Sequence, residues 1–146
     1  MLKRGCTSLT EVNIRNLLVI GIDVVSLAVS AKRAGYQVYA VDFFGDQDLK
    51  RVCQKSRSIV KQRPGRTCGR LSRDFKPEAL LRLTKGLLRK SDADFALLSS
   101  GLDDFPKVLF ELNEIVPILG NSPDTIKRVR DKTKFFKELK RLQIRH

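Results

Sequence analysis

At 146 residues the chain is sized for one domain with a true core, and 42% apolar composition supports that. No apolar run approaches the roughly 20 residues of a membrane span, and the basic start (Lys3, Arg4) has no apolar stretch behind it, so neither a span nor a signal peptide is expected and the expected location is cytoplasmic. The three cysteines (Cys6, Cys53, Cys68) form no close pair and the only histidine, His146, is terminal, which excludes a zinc site.

The net charge of +13 is unevenly spread. Residues 50–90 hold fourteen Lys or Arg against two acids, net +12, and residues 124–146 hold nine against three, net +6. A block of that kind binds polyanions such as nucleic acid, or an acidic partner surface, or is simply a solvated face.

In chain order, residues 1–15 have no clear period and read as a loose lead-in. Residues 16–42, NLLVIGIDVVSLAVSAKRAGYQVYAVD, read as strand, turn, helix, turn, strand. The run LLVI (17–20) suits a strand buried on both faces. Residues 24–34 carry apolar side chains at helical spacing, with Asp23 placed to cap the first turn and Gly35 to end the helix in the left-handed conformation. Residues 38–41 resume a buried strand. FFGDQD (43–48) is a loop, 49–54 a short helix and RSIV (57–60) a third strand. Residues 61–76, with six cations, Pro64-Gly65 and Gly69, read as a mobile surface loop. Pro77 opens a helix to about residue 90, with Leu80, Leu81, Leu83, Leu87 and Leu88 as its apolar stripe. DFALLS (94–99) is a fourth strand, 106–112 a helix, and 116–119 a short fifth strand. Ser122 and Pro123 are an N-cap and first helical residue, and the helix they start breaks near Asp131-Lys132.

Alternating strands and helices predict a Rossmann-like α/β fold: an open parallel sheet of order 3-2-1-4-5 with helices on both faces. A ligand would then sit at the topological switch point, between the loops after the first and fourth strands. That reading nominates Gly21, Asp23, Asp42, Ser100 and Gly101 as pocket residues. Asp42 lies 21 residues after Gly21, where a ribose-binding acid would stand, but the second and third glycines of a dinucleotide fingerprint are Asp23 and Ser26. Asp23 adds bulk and negative charge where phosphate would go, so NAD is disfavoured. Asp23 either caps its helix or accepts hydrogen bonds from an amine or hydroxyl of a substrate. Ser99-Ser100-Gly101 is either an ordinary turn or a place for a substrate carboxylate. No catalytic residue and no metal ligand set can be assembled.

Three stretches carry a resemblance: VIGIDVVSLAVSAKRAGYQVYAVDFFGDQDL, LLSSGLDD and ILGNSPDTIKRVRDKTKFFKELKRLQI. Together they resemble the N-terminal (pre-ATP-grasp) domain of ATP-grasp proteins, most nearly archaeal-type ATP-dependent carboligases related to biotin carboxylase. The resemblance runs from Asn16 to Ile144. It implies residues 16–130 as a Rossmann-like substrate-binding domain and 131–146 as the start of a linker into an ATP-grasp domain. It also implies ATP and Mg²⁺ for the complete enzyme, which activates a carboxylate as an acyl phosphate and transfers it to an amine or other nucleophile. The lysine of the D-K pair, here Lys132, would face nucleotide; read by itself, Lys132 is one exposed lysine among many. The sequence departs from the family in lacking the later lysine, the acidic metal ligands and the glycine-rich phosphate loop. The chain alone is therefore expected to be inactive, with a separate chain carrying the catalytic domain as its partner and a homodimer also compatible. Two other functions remain open: a polyanion or nucleic-acid module using residues 50–90, and a free-standing metabolite- or nucleotide-binding protein.

Overall fold

The computed structural model describes residues 14–62, 65 and 75–145. Most of the lead-in, most of the 61–76 segment, Cys6, Cys68 and His146 lie outside them. The elements are β1 (Asn16–Ile20), α1 (Val25–Arg33), β2 (Gln37–Asp42), α2 (Gln47–Val52), β3 (Lys55–Ser58), α3 (Pro77–Leu88), β4 (Phe95–Leu98), α4 (Pro106–Ile115), α5 (Pro123–Arg130) and α6 (Lys132–Arg141).

The four strands form one all-parallel sheet of order β3-β2-β1-β4. Central β1 pairs on both sides, Leu18 with Tyr39 of β2 and with Ala96 of β4. Alternation sorts its side chains to two faces. Leu18 and Ile20 join Leu80, Leu81, Leu87, Leu109 and Leu112 on the α3–α4 face. Leu17 and Val19 join Val24, Ala28, Ala31 and Leu49 on the α1–α2 face. The unbroken LLVI run is thus what a strand covered on both faces requires, and each of these side chains contributes about 2–3 kcal/mol by burial. The start of β1 is clamped by Asp94, whose Oδ2 accepts the Arg15 and Asn16 N–H groups, both at 2.8 Å.

Several local signals act as expected. Gly35 has φ +93° just past α1. Ser122 Oγ accepts the Thr125 N–H at 3.2 Å at the start of α5, and Asp131 Oδ1 accepts the Lys134 N–H at 3.1 Å at the start of α6. The last helix does break at Asp131, into α5 and α6.

Two expectations need correcting. No fifth strand is seen among the described residues. Residues 116–119 make one isolated parallel bridge, Ile118 to Ala96, through Ala96 N–H to Pro117 O and Leu119 N–H to Ala96 O. Pro117 has no N–H to extend the ladder, the Ile118 N–H is taken by Asn113 Oδ1 at 3.0 Å, and α5 starts four residues after Leu119. The third strand is KSRS, two residues earlier than the apolar RSIV predicted. It is an edge strand paired only to β2, so it needs few apolar side chains.

Candidate functional site

The switch point lies where β1 and β4 end. Its two loops are laced together rather than held apart. Ile22 N–H donates to Ser100 O at 2.9 Å, and Ser99 Oγ donates to Asp23 O. Gly21 N–H reaches Val41 O at 3.2 Å and Phe43 N–H reaches Ile22 O at 3.3 Å, tying in the end of β2. Gly21 is required by this approach: a Cβ there would lie 2.7 Å from Ser99 Cβ and 2.9 Å from Ser100 O. Gly101 has φ +96° and sits against the Ile22 side chain. Both glycines are explained by chain packing.

The nominated residues are only partly brought together. Gly21, Asp23, Ser100 and Gly101 share the laced cluster. Asp23 Oδ1 accepts the Val25 N–H at 3.2 Å, an Asx-type turn just ahead of α1; the N-cap position itself is Val24, which has no side-chain cap, so the capping expected of Asp23 is replaced by this turn. Asp42 ends the neighbouring strand but is fully buried. Its Oδ2 accepts the Gly45 N–H at 2.8 Å, while Oδ1 has no hydrogen-bond partner among the described residues. Burial pushes this carboxyl up from 3.8 to about 6, against the lowering pull of the Gly45 N–H; the nearby acids Asp46 and Asp23 push it further up. Lys132 is the exposed first residue of α6, with no hydrogen bond to the cluster.

A cavity of about 360 Å³ opens beside the cluster, between the outer edge of β4 and α5. Leu98, Ile118, Leu119, Ile126 and Val129 give it apolar walls; Ser99, Asp103, Asn121, Thr125 and Arg130 supply polar groups. Arg130 Nε donates to Asp104 Oδ1 at 2.7 Å, fixing α5 to the loop after β4. The volume is at the low end for small-molecule pockets, and the mix of apolar wall and few polar groups is typical of them. Sequence reading missed this cavity. Its one local signal was the Ser122-Pro123 helix start that positions α5; the Arg130–Asp104 pair spans 26 residues and has no local signature.

Burial pushes the Cys53 thiol up to about 11, so it stays protonated. No group of three or more His, Cys, Asp or Glu is placed to hold a metal ion among the described residues. Asp104, near the cavity, is engaged by Arg130. No helix among these residues is long and apolar enough to cross a membrane.

With the fold an α/β parallel sheet and the site placed at its carboxyl end, the chain can be set beside known proteins. No family model matches it. It is 26% identical over 129 residues to an uncharacterized protein of Methanocaldococcus jannaschii, covering 86% of this chain and 30% of that protein. It also resembles the complete multifunctional pyruvate carboxylase from Rhizobium etli (TM-score 0.63, 19% identity, 90% of this chain and 12% of that one). A third likeness is N5-carboxyaminoimidazole ribonucleotide synthetase from Thermotoga maritima (TM-score 0.52, 17% identity, 88% of this chain and 30% of that one). The chain thus spans less than a third of the length of each of these three proteins, and the structural likenesses speak to the fold.

Proposed function

We propose that this chain is the substrate-binding N-terminal unit of an ATP-grasp ligase. The observation that carries the reading is the likeness of nearly the whole chain to a minor part of two carboxylase- and synthetase-class structures, in the class to which the sequence resemblance points. In such an enzyme ATP and Mg²⁺ convert a carboxylate to an acyl phosphate, which a nucleophile then attacks. The residues here bind and orient the acceptor. The apolar wall of the β4–α5 cavity takes its body, and Ser99, Asn121 and Arg130 its polar end. The laced loop of Gly21, Asp23, Ser100 and Gly101 is the rigid floor beside it, and Asp42 stiffens that floor from beneath. Lys132 faces the nucleotide held by the catalytic unit; a mobile ammonium suits phosphate. The donors for Mg²⁺ come from that unit too.

The test is a pull-down from native lysate with the tagged chain, followed by ATP titration of what is recovered. A chain bearing an ATP-grasp catalytic half, with ATP affinity lowered by Lys132→Ala only in the assembly, is the expected result. Equal ATP binding by the assembly with and without that change overturns the assignment of Lys132. Recovery of no such chain removes the enzyme reading. The second reading, a free-standing metabolite binder, is favoured by the cavity itself and predicts a ligand bound without any partner.

A further inference from the structure

At the opposite, amino end of the sheet a second hollow of about 300 Å³ separates edge strand β3 from the last turn of α3. Among the described residues Lys55, Ser56, Arg57, Gly86, Leu87 and Lys90 line it, with no acid. Arg82 lies one helical turn before Gly86 and so continues the same face. No ion pair joins Lys55, Arg57, Arg82 or Lys90 to any carboxylate among the described residues. Of the acids near this end, Asp92 lines a separate hollow with Lys85 and Arg89, and Asp94 is engaged by the Arg15 and Asn16 N–H groups.

Two features make this more than scattered surface charge. Lys55 Nζ donates to Lys90 O at 3.0 Å and to Ser91 Oγ at 3.1 Å, so this long side chain is already held in place beside Arg57, with one donor to spare. Gly86 stands inside α3, where glycine is the poorest ordinary helix former, and no described residue lies within 4 Å of where its Cβ would be. Its missing side chain leaves the floor of the hollow open.

The cations are spaced for a chain of charges. Lys55 and Arg57 are about 7 Å apart along the strand, and Arg82 to Lys90 covers roughly 12 Å along the helix. One phosphate cannot touch all four; successive phosphates of a backbone can. Stacking is not offered: Phe75, the one aromatic of the basic block, is half-buried and packs edge-on against Phe43 and Phe105. We propose that the β3–α3 hollow binds the sugar-phosphate backbone of duplex nucleic acid, without base readout.

The full chain should bind a fluorescent 20-base-pair duplex with affinity falling steeply as salt rises, each phosphate contact adding about 0.9 to the log–log slope. Arg57→Ser with Lys90→Ser should reduce that slope by about 2 and weaken binding about tenfold or more at 50 mM salt. The charge-matched pair Lys137→Ser with Lys140→Ser on α6 should leave the slope nearly unchanged. Gly86→Leu alters no charge and should raise the melting temperature through helix propensity, yet weaken duplex binding by filling the floor. Three results would each overturn the proposal: equal loss from both serine pairs, full binding by Gly86→Leu, or poly-glutamate competing as well as duplex through the same residues. The last would make the ligand an acidic protein surface.

Discussion

The two edges of the sheet solve the same problem in opposite ways. Strand β3 leaves its edge to Lys55 and Arg57, whose charge repels another strand and keeps the backbone in water. Strand β4 covers its edge with one bridge to Ile118 and with α5, leaving an apolar cavity between. The difference is written in composition: net +12 over residues 50–90 on one side, apolar residues and a proline at 116–119 on the other. An edge guarded by charge can recruit phosphate; an edge guarded by packing can enclose a small molecule.

Four substitutions test how far that contrast reaches, beginning with the largest effect. Gly21→Val drives a side chain into Ser99 and Ser100 and should cost about 3 kcal/mol in urea unfolding. An unchanged midpoint would mean that the β4 end is loosely packed, and the cavity with it. Asp42→Asn addresses the strand between the two edges. Its carboxyl is held at about 6 in the folded chain against an ordinary 3.8, so the folded state binds the proton more tightly. Its contribution is therefore fully present below about pH 4 and is lost as pH rises through 6. The asparagine variant should flatten stability between pH 4 and 7 and gain up to about 3 kcal/mol at pH 8; a parallel pH profile for both proteins would refute it.

The smaller effects divide between the edges. Ser122→Ala removes the N-cap of α5 on the β4 side and should lose about 1 kcal/mol. It should also weaken any small molecule bound in the cavity while leaving duplex binding alone, readable by thermal shift with each ligand. On the β3 side, Thr84 is fully buried in α3 with its hydroxyl unpartnered among the described residues. Thr84→Val keeps the shape and should gain about 1 kcal/mol; a loss measured by denaturant titration would mean the hydroxyl has a partner in solution.

What the sequence made legible was whatever depends on neighbours in the chain. The LLVI run declared a doubly covered strand, Gly35 a helix end, and Ser122-Pro123 a helix start. The strand order 3-2-1-4 followed from the alternation of elements. Strand β3 was misplaced because an apolar criterion fails at an edge, where Ile59 and Val60 instead donate their N–H groups to Asp42 O and Phe43 O beyond the strand. The fifth strand was overread because four apolar residues outweighed the missing donor of Pro117. The switch-point glycines were found, but their neighbours show that chain crossing alone demands them. The cavity was illegible because Ser99, Asn121 and Arg130 meet only through tertiary packing. Asp42 was noted for its spacing from Gly21; that it is buried with an orphan oxygen depends on the loop that folds over it.

The strand order has a consequence for synthesis. Strand β2 follows β1 almost at once, but β4, which covers the other side of β1, is complete only at Leu98. At about 5–20 residues per second, the ribosome needs roughly 3–11 s between the ends of β2 and β4. Through that interval the most apolar strand of the protein has one unpaired edge. The stretch made meanwhile, residues 50–90, is the most basic of the chain, so the waiting edge is followed by a segment of net charge +12.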